Sequence, residues 1–271
     1  MSYLSRENSN LSQEFWKELD SVVVSAAAEA LTGRRFLHLM GPLGPGAESI
    51  PVDTANQTQE VSEDGLITIQ GRKYEEIPGI YEDFTIIARD LEYSKDQGFP
   101  FDFSAAKRAA QACALKEDRF IYFGEEAHGF KGMLTAPGSR KIKRSDWSSG
   151  ENAFSDIAAG VATLVQNGIH GSLVLIVSPD VYYQLQRIQP GTGLLELDRI
   201  EKLLGRKVLN APALGSSKAI LACPEPENMD LVIGQDLATA YLEQKDLNHV
   251  FRILETLLLR IKREDAIIVF E

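Results

Sequence analysis

A polar arm at residues 45–78 constrains this chain more than any other feature. The arm has the character of β-strands, and Asp64-Gly65, between two extended stretches, is a hairpin signal. Its only clearly apolar stretch is LITI, residues 66–69. A lone two-stranded hairpin is marginal in water, so the arm is not expected to be a stable domain by itself. We therefore expect it to pack against a surface outside itself.

The segment that leads into the arm, GPLGPG at residues 41–46, raises two alternatives, a phosphate-binding loop and a stiff corner. A P-loop requires Lys-Ser/Thr after its last glycine, and a dinucleotide-binding loop requires GxGxxG at the start of a helix. This segment has neither pattern. Proline has no N–H group to offer an anion and fixes its own φ, so two Gly-Pro steps stiffen the chain. We interpret the segment as a structural corner.

Charge and composition argue against several classes of protein. The chain has 271 residues, of which 44% are hydrophobic and 25% are charged, as in ordinary globular proteins. Its net charge of -11 argues against binding to nucleic acid or to an anionic membrane surface. No segment approaches the ~18 apolar residues of a transmembrane helix, and the polar N-terminus lacks a signal-peptide core. Because Cys113 and Cys223 have no metal-type spacing, we expect free thiols and a cytoplasmic location.

Apolar spacing predicts an N-terminal helix and a longer helix rich in alanine. Ser12 is placed to cap the first helix, whose apolar residues recur at helical spacing as far as Leu31. The second helix, residues 104–122, carries small residues over most of one face, so another element is expected to pack closely against it. Further along, the pattern predicts a helix at 151–167 and a buried strand at 172–178.

Residues 135–223 are predicted to form a compact α/β unit, which includes a helix from Pro179 to about Ile188 and a second helix at 194–204. Short strands are expected after Pro226.

The segment HVFRILETLLLRI, residues 249–261, is compatible with two structures. As a strand, it places Phe251 and Leu257 on one face, which Glu255 interrupts. As a helix, it places Phe251 and Leu254 on a common stripe. The residues alone do not decide between the two.

A search for catalytic and metal-binding patterns finds little. The sequence has no GxSxG, HExxH, CxxC or EF-hand pattern, and its four histidines stand apart from one another. Glu125, Glu126 and His128 lie close in sequence, but the two carboxylates are adjacent and point apart on any regular element. We therefore expect no catalytic residue and no metal site.

Several groups of residues, in their order and spacing, resemble the encapsulin shell proteins, the linocin-like family of bacterial nanocompartments. The resemblance runs from Leu4 to Phe270. The residues that carry it are Phe15-Trp16, Leu31-x-Gly33-Arg34-Arg35-Phe36, Gly41-Pro42, Phe84–Leu91, the alanine-rich residues 104–122, Ile233-Gly234-Gln235-Asp236-Leu237, and Glu255 before the final strands.

The resemblance implies an α+β protein with the HK97-type fold of tailed-phage capsid proteins. Its parts would be an N-terminal helical arm, an extended E-loop, a peripheral domain with a long spine helix, and an axial domain. The implied boundaries are 1–44 for the arm, 45–78 for the E-loop, 79–134 and 226–271 for the peripheral domain, and 135–225 for the axial domain. This fold favours the strand interpretation of the segment near the C-terminus.

The resemblance also implies a non-enzymatic shell protein. Many copies would assemble into an icosahedral nanocompartment in the bacterial cytoplasm and enclose a cargo enzyme through its C-terminal targeting peptide. GPLGPG and FRILETLLLRIK, residues 251–262, are similar to a subgroup whose cargo is a ferritin-like, iron-oxidising protein, which implies a role in iron storage and oxidative stress defence. Peroxidases are another class of cargo.

Two alternatives to a shell protein are a phage major capsid protein and a hydrolase. A phage major capsid protein would share the fold, but it encloses DNA, and the acidic charge weighs against that. A hydrolase would need a nucleophile–base pair, which the sequence does not offer.

The resemblance assigns two groups of functional residues. The cargo-peptide site would comprise Leu31, Arg34, His38, Ile233, Asp236 and Leu237, and a loop around the fivefold pore would comprise Gln189, Pro190, Gly191, Thr192 and Gly193. His38 stands where relatives often have an acidic residue, so the preferred peptide is expected to differ.

Some family members bind flavin against an aromatic residue in the segment after the E-loop. The matching position here is Arg89, so we expect no flavin and no other cofactor.

Overall fold

The computed structural model describes residues 3–52, 58–189, 191 and 193–271, and it mixes helices with strands, as an α+β fold requires. The helices are α1 (Gln13–Ala30), α2 (Ala88–Gln97), α3 (Ser104–Phe123), α4 (Asn152–Gln166), α5 (Pro179–Leu185) and α6 (Glu196–Leu204). The strands are β1 (Leu39–Met40), β2 (Ser49–Pro51), β3 (Gln59–Glu63), β4 (Leu66–Gln70), β5 (Tyr74–Glu76), β6 (Gly79–Ile86), β7 (Gly124–Glu125), β8 (Phe130–Lys131), β9 (Arg140–Ile142), β10 (Val174–Val177), β11 (Leu209–Asn210), β12 (Ala219–Ala222), β13 (Met229–Ile233), β14 (Ala238–Lys245), β15 (Asn248–Ile261) and β16 (Ile267–Phe270).

The first helix begins where the sequence predicts. The Oγ atom of Ser12 accepts a hydrogen bond from the backbone N–H of Phe15 at 3.2 Å, which satisfies one of the free donors of the first turn. Leu11 and Trp16 belong to the same apolar cluster, as a hydrophobic staple requires.

The chain divides into two compact units. The first consists of the described residues of Met1–Leu31, Met40–Glu117 and Val232–Leu258. The second consists of Thr32–Leu39, Asp118–Leu231 and Leu259–Glu271. Each unit is therefore built from segments that are distant in sequence. The domain boundaries implied by the family stay a prediction, because a division into compact units does not test where an N-terminal arm or an E-loop begins and ends.

In the first unit, strand β15 pairs antiparallel with β14 on one side and with β6 on the other. Its inner face contributes Phe251 to an apolar cluster, where the ring stacks on Phe84 with centroids 5.1 Å apart and meets Trp16 edge-on at 5.6 Å. Buried small residues of α3, among them Ala106 and Ala110, belong to the same cluster. The close packing expected of the alanine-rich face is thereby confirmed.

The segment near the C-terminus is a strand, which decides between the two structures that the residues leave open. Phe251, Ile253 and Leu257 alternate with less buried positions, as period two requires. Glu255 lies on the same buried face and is itself completely buried. Its charge made a buried strand hard to recognise from the pattern alone.

The second unit contains a five-stranded sheet in the order β11-β10-β12-β16-β9. Strand β16, the last of the chain, pairs antiparallel with β12 and parallel with β9. All four residues of β10 and of β12 are buried. Helix α5 ends at Leu185, earlier than predicted, because Ile188 leaves the helical path to form an isolated bridge with Leu195.

The polar arm contains the predicted hairpin. Strands β3 and β4 pair antiparallel, and Asp64 and Gly65 join them with positive φ angles of 47° and 78°. Two residues with positive φ are what a type I′ turn requires. Leu66, Ile67 and Ile69 are 67%, 63% and 42% exposed, so the apolar stretch is not covered by its own chain.

Candidate functional site

The Gly-Pro corner is held by backbone hydrogen bonds rather than open to an anion. The N–H groups of Leu43 and Gly44 donate to the carbonyl oxygens of Ile233 and Gly234 at 3.0 and 2.9 Å. Gly41 has a φ of 126°, and a Cβ atom there would clash with the carbonyl oxygen of Ile233. Donors that a phosphate would need are thus committed to the end of β13, which supports the interpretation as a structural corner.

The residues predicted to bind a cargo peptide fall into two groups, one in each unit. In the first unit, Leu31 and Leu237 contact a common small cluster with Ala27, Ala30 and Ala114. The structure therefore brings together two of the four predicted residues of this unit through shared apolar contacts.

The other two predicted residues of the first unit differ in their surroundings. Ile233 is buried at the end of β13, and its backbone carbonyl is the acceptor at the Gly-Pro corner. Asp236 is exposed, and its carboxylate accepts the N–H of Leu237 at 2.8 Å. Ile233 is thus placed to shape the fold of this region, whereas Asp236 presents a negative charge at the surface.

In the second unit, Arg34 and His38 belong to a short segment, Thr32–Leu39. Arg34 is the central residue of a 3-10 turn, Gly33–Arg35, and is half-buried, while His38 is exposed. Phe36 and Leu37, which lie between these two residues in sequence, are buried. The segment therefore anchors itself with apolar residues and presents polar ones.

Hydrogen bonds to backbone carbonyl oxygens fix the middle and the end of this segment. The guanidinium of Arg206 donates to the carbonyl oxygen of Arg35 at 3.0 Å. The N–H of Leu231 donates to the carbonyl oxygen of His38 at 2.9 Å.

A buried carboxylate, Asp118 of α3, fixes the start of the segment. It accepts hydrogen bonds from the N–H of Gly33 at 2.8 Å, from the N–H of Thr32 at 2.9 Å and from the hydroxyl of Thr32 at 2.7 Å. The Thr32 hydroxyl also shares a hydrogen bond with the hydroxyl of Tyr122 at 2.5 Å. Sequence reasoning missed Asp118, because nothing in the pattern of α3 distinguishes it from a solvated charge.

The predicted pore loop is described only in part. Pro190 and Thr192 lie outside the described residues. Gly191 and Gly193 are exposed, with φ angles of 82° and 69°. Gln189 is only 5% exposed, and its amide nitrogen is placed to donate to Glu196 at 2.8 Å and to the carbonyl of Gly150 at 3.0 Å. Its side chain belongs to the base of the loop.

Arg89, the residue at the position where some relatives bind flavin, is exposed in the first turn of α2. Two aromatic rings that follow it in sequence, Tyr93 and Phe99, stack on each other with centroids 6.4 Å apart. The guanidinium offers no aromatic face of its own.

Neither cysteine has the properties of a nucleophile. Cys113 and Cys223 are free and buried, and burial raises the pKa of both thiols. A raised pKa keeps the thiol protonated at neutral pH, which is the unreactive form.

The part of the chain that the structure describes contains no group of three or more His, Cys, Asp or Glu side chains that could hold a metal ion. Within the same residues, no helix is both long enough and apolar enough to cross a membrane.

Comparison with known proteins gives a consistent result. The family described as "Encapsulating protein for peroxidase", Linocin_M18, matches residues 1–258. The type 1 encapsulin shell protein EncA of Myxococcus xanthus is 36% identical, and the alignment covers 99% of this chain and 96% of that protein. A diheme-cytochrome-encapsulin shell fusion protein of Kuenenia stuttgartiensis is also 36% identical, over 97% of this chain and 74% of the fusion. A ferritin-like-encapsulin shell fusion protein of Pyrococcus furiosus is 23% identical, over 98% and 70%.

Solved structures agree on the fold. A virus-like particle from Pyrococcus furiosus matches with a TM-score of 0.77 and 22% identity, over 95% of this chain and 100% of that one. The capsid of the myophage XM1 matches with a TM-score of 0.62 and 14% identity, over 88% and 90%. These likenesses show the HK97-type capsid fold that the resemblance implied. The match to the family model over residues 1–258 and the 36% identity to EncA establish that this chain belongs to the encapsulin shell protein family.

Proposed function

We propose that many copies of this chain assemble into a closed icosahedral shell in the bacterial cytoplasm, and that the shell holds a cargo enzyme by its C-terminal targeting peptide. The proposal is carried by the relatives in which a shell chain is fused to a diheme cytochrome or to a ferritin-like protein. In each of these two relatives, the shell protein and the diheme cytochrome or ferritin-like protein belong to one polypeptide. We propose that the cargo of this shell is a separate protein, which is captured by contact.

The cargo that we propose is a ferritin-like, iron-oxidising protein, with iron storage and protection from oxidative stress as the outcome. A ferritin-like fusion partner in the Pyrococcus furiosus relative supports this class. A peroxidase is the second candidate, favoured by the description of the family itself.

Purification of native shells tests both parts of the proposal. We expect electron microscopy to show closed particles, and mass spectrometry of their contents to identify a ferritin-like protein. A truncated form of that protein, without its C-terminal tail, should not enter the shells. A peroxidase in its place would overturn the iron assignment alone. Particles filled with DNA would overturn the nanocompartment and favour a phage-type capsid.

We further propose that the loop at residues 189–193 forms the passage through which small substrates reach the cargo. Its exposed glycines leave no side-chain bulk, and its base is fixed by Gln189 and Glu196. Replacing Thr192→Trp should narrow the passage and slow turnover by enclosed cargo, while free cargo keeps its rate. Equal turnover in both shells would show that substrates pass elsewhere.

A further inference from the structure

Asp118 is the charged side chain that holds the start of the segment Thr32–Leu39, and neither assembly nor the passage of substrates accounts for it. It is completely buried, which is costly for a carboxylate unless hydrogen bonds compensate. Its compensation comes from donors of Thr32 and Gly33, the two residues that precede Arg34.

These hydrogen bonds replace the cap that the turn lacks. A helical turn leaves its first N–H groups without partners, and a side-chain oxygen of the preceding residue usually accepts one of them. Thr32 precedes the turn Gly33–Arg35, but its own side chain makes no capping hydrogen bond. Asp118 accepts the N–H groups of Thr32 and Gly33 instead, and a negative charge at the start of a helical turn is favourable.

The surroundings leave this arrangement little freedom. The hydroxyl of Thr32 donates to Asp118, so its lone pairs are left to accept the hydroxyl of Tyr122. A Cβ atom at Gly33 would clash with the Cδ1 atom of Ile121, so the backbone of Gly33 lies against a side chain of α3. The turn is therefore fixed both by charge-assisted hydrogen bonds and by close backbone packing.

We propose that Asp118 is a positioning residue for cargo capture, which acts by holding the Thr32–Gly33 backbone and thereby fixing Arg34 in the geometry that meets the cargo peptide. The proposal rests on the proposed function and on the prediction that Arg34 belongs to the site that binds the cargo peptide. Thr32 and Tyr122 complete the cluster. The Thr32 hydroxyl donates to the Asp118 carboxylate, and the hydroxyl of Tyr122 holds the Thr32 hydroxyl in that orientation.

The test uses assembled shells and a defined probe. The probe is a fluorescent protein that carries the C-terminal tail of the cargo identified in native shells, and the same protein without the tail measures passive capture. Loading is measured at limiting probe, and particle size and thermal stability are measured on the same preparations. We expect Asp118→Asn to lower tail-dependent loading by about tenfold, because the peptide then has to order the turn as it binds, at a cost similar to one charge-assisted hydrogen bond.

Matched variants separate positioning from general damage. Thr32→Val removes the hydroxyl and should also lower loading, whereas Thr32→Ser keeps it and should load normally. In an Arg34→Ala background, Asp118→Asn should cause no further loss, because two residues that act through one contact are not additive. Hydrogen exchange should quicken at the amides of residues 32–38 in Asp118→Asn and stay unchanged elsewhere.

Each remaining outcome overturns something specific. Normal loading by Asp118→Asn, or a further loss on top of Arg34→Ala, overturns the positioning role and leaves the proposed function standing. Normal loading by Arg34→Ala overturns the contact between Arg34 and the cargo peptide, and with it the positioning role of Asp118. Equal loading with and without the tail in the unchanged shell overturns capture by a targeting peptide. If Asp118→Asn does not assemble, tail-dependent loading is compared between Thr32→Val and Thr32→Ser. Equal loading by these two variants overturns the positioning role of Asp118.

Discussion

At the scale of single residues, the second unit contains a buried ionic cluster around Asp230, whose side chain is 4% exposed. Arg260 donates two hydrogen bonds to its carboxylate at 2.8 and 2.6 Å, and Lys262 lies 2.7 Å away. Burial alone would raise the pKa of Asp230, but the hydrogen bonds and charges of Arg260 and Lys262 outweigh it, and the pKa is lowered. The folded state therefore favours the ionised carboxylate.

Replacing Asp230→Asn should cost about 3 kcal/mol of unfolding free energy at neutral pH, because it leaves Arg260 and Lys262, whose side chains are only 14% and 30% exposed, without their anion. A lowered folded-state pKa means that the stabilisation is fully present above the unfolded-state value of about 3.9, and is lost as pH falls through the folded-state pKa. The difference between the two proteins should thus shrink in acid. Guanidinium midpoints at matched protein concentration over a pH series measure it.

Asp83→Asn is the control for this experiment. Asp83 pairs with Arg252 through two hydrogen bonds of 2.7 and 2.8 Å, but the two side chains are 40% and 34% exposed. Exposed pairs contribute at most about 1 kcal/mol. Equal losses for the two variants would show that burial does not determine the strength of the Asp230 cluster.

Arg89 is the residue that decides the expectation about flavin. A flavin ring gains most from stacking on an aromatic face, and a guanidinium is a weaker partner. We expect purified shells to show no visible flavin absorbance after denaturation and extraction. The variant Arg89→Trp, which restores an aromatic face, is the informative comparison. Stoichiometric flavin in the unchanged protein would contradict the expectation.

At the scale of elements, the hairpin of β3 and β4 has apolar residues that its own chain leaves exposed. Ile67 and Ile69 lie on one face of β4, and Thr68 lies on the other. We expect Ile67→Lys with Ile69→Lys to fold but to fail to assemble, because charges replace the apolar contact with a neighbouring copy. Circular dichroism measures folding, and light scattering measures assembly.

Thr68→Lys is the matched control for the hairpin, because it adds a charge to the opposite face of the same exposed strand. It should assemble nearly as the unchanged protein does. Normal particles from the double variant would mean that the apolar face of the hairpin is not an assembly surface.

What the sequence predicts at this scale depends on how local the cause is. The start of α1 and the hairpin turn were predictable, because Ser12 and Asp64-Gly65 act within a few residues. The strand at residues 249–261 was not predictable from its own pattern, because pairing with β6 reaches back to residues 79–86. Only the family resemblance carried that long-range information.

The candidate site shows the same limit. Leu31 and Leu237 were named from the family and do share a cluster, but a residue-level pattern does not connect positions so far apart. Asp118 was missed for the same physical reason, because its donors lie more than 80 residues earlier in the chain.

At the scale of the whole molecule, the exposed apolar surface favours contacts with other copies of the chain. Besides the hairpin, Tyr183, Ile188 and Leu194 of the second unit are 68%, 65% and 54% exposed. Contiguous exposed apolar surface marks interaction sites, and Ile188 lies close to Leu194, because Ile188 bridges to Leu195 and the N–H of Gln189 donates to the carbonyl oxygen of Leu194. Different patches that meet in a head-to-tail manner produce closed rings or open filaments, and a shell requires closure.

A closed shell should resist dilution. Obligate assemblies bury about 2,000–5,000 Å² at each interface, so we expect shells that do not dissociate on dilution to micromolar concentration. Light scattering and electron microscopy of freshly diluted protein should give closed particles of one size, with no 30 kDa species. Ionic strength is the control, because contacts dominated by apolar burial should survive high salt, whereas contacts between exposed charges should weaken. A stable monomer at micromolar concentration would contradict the shell itself, and open filaments would contradict closure alone.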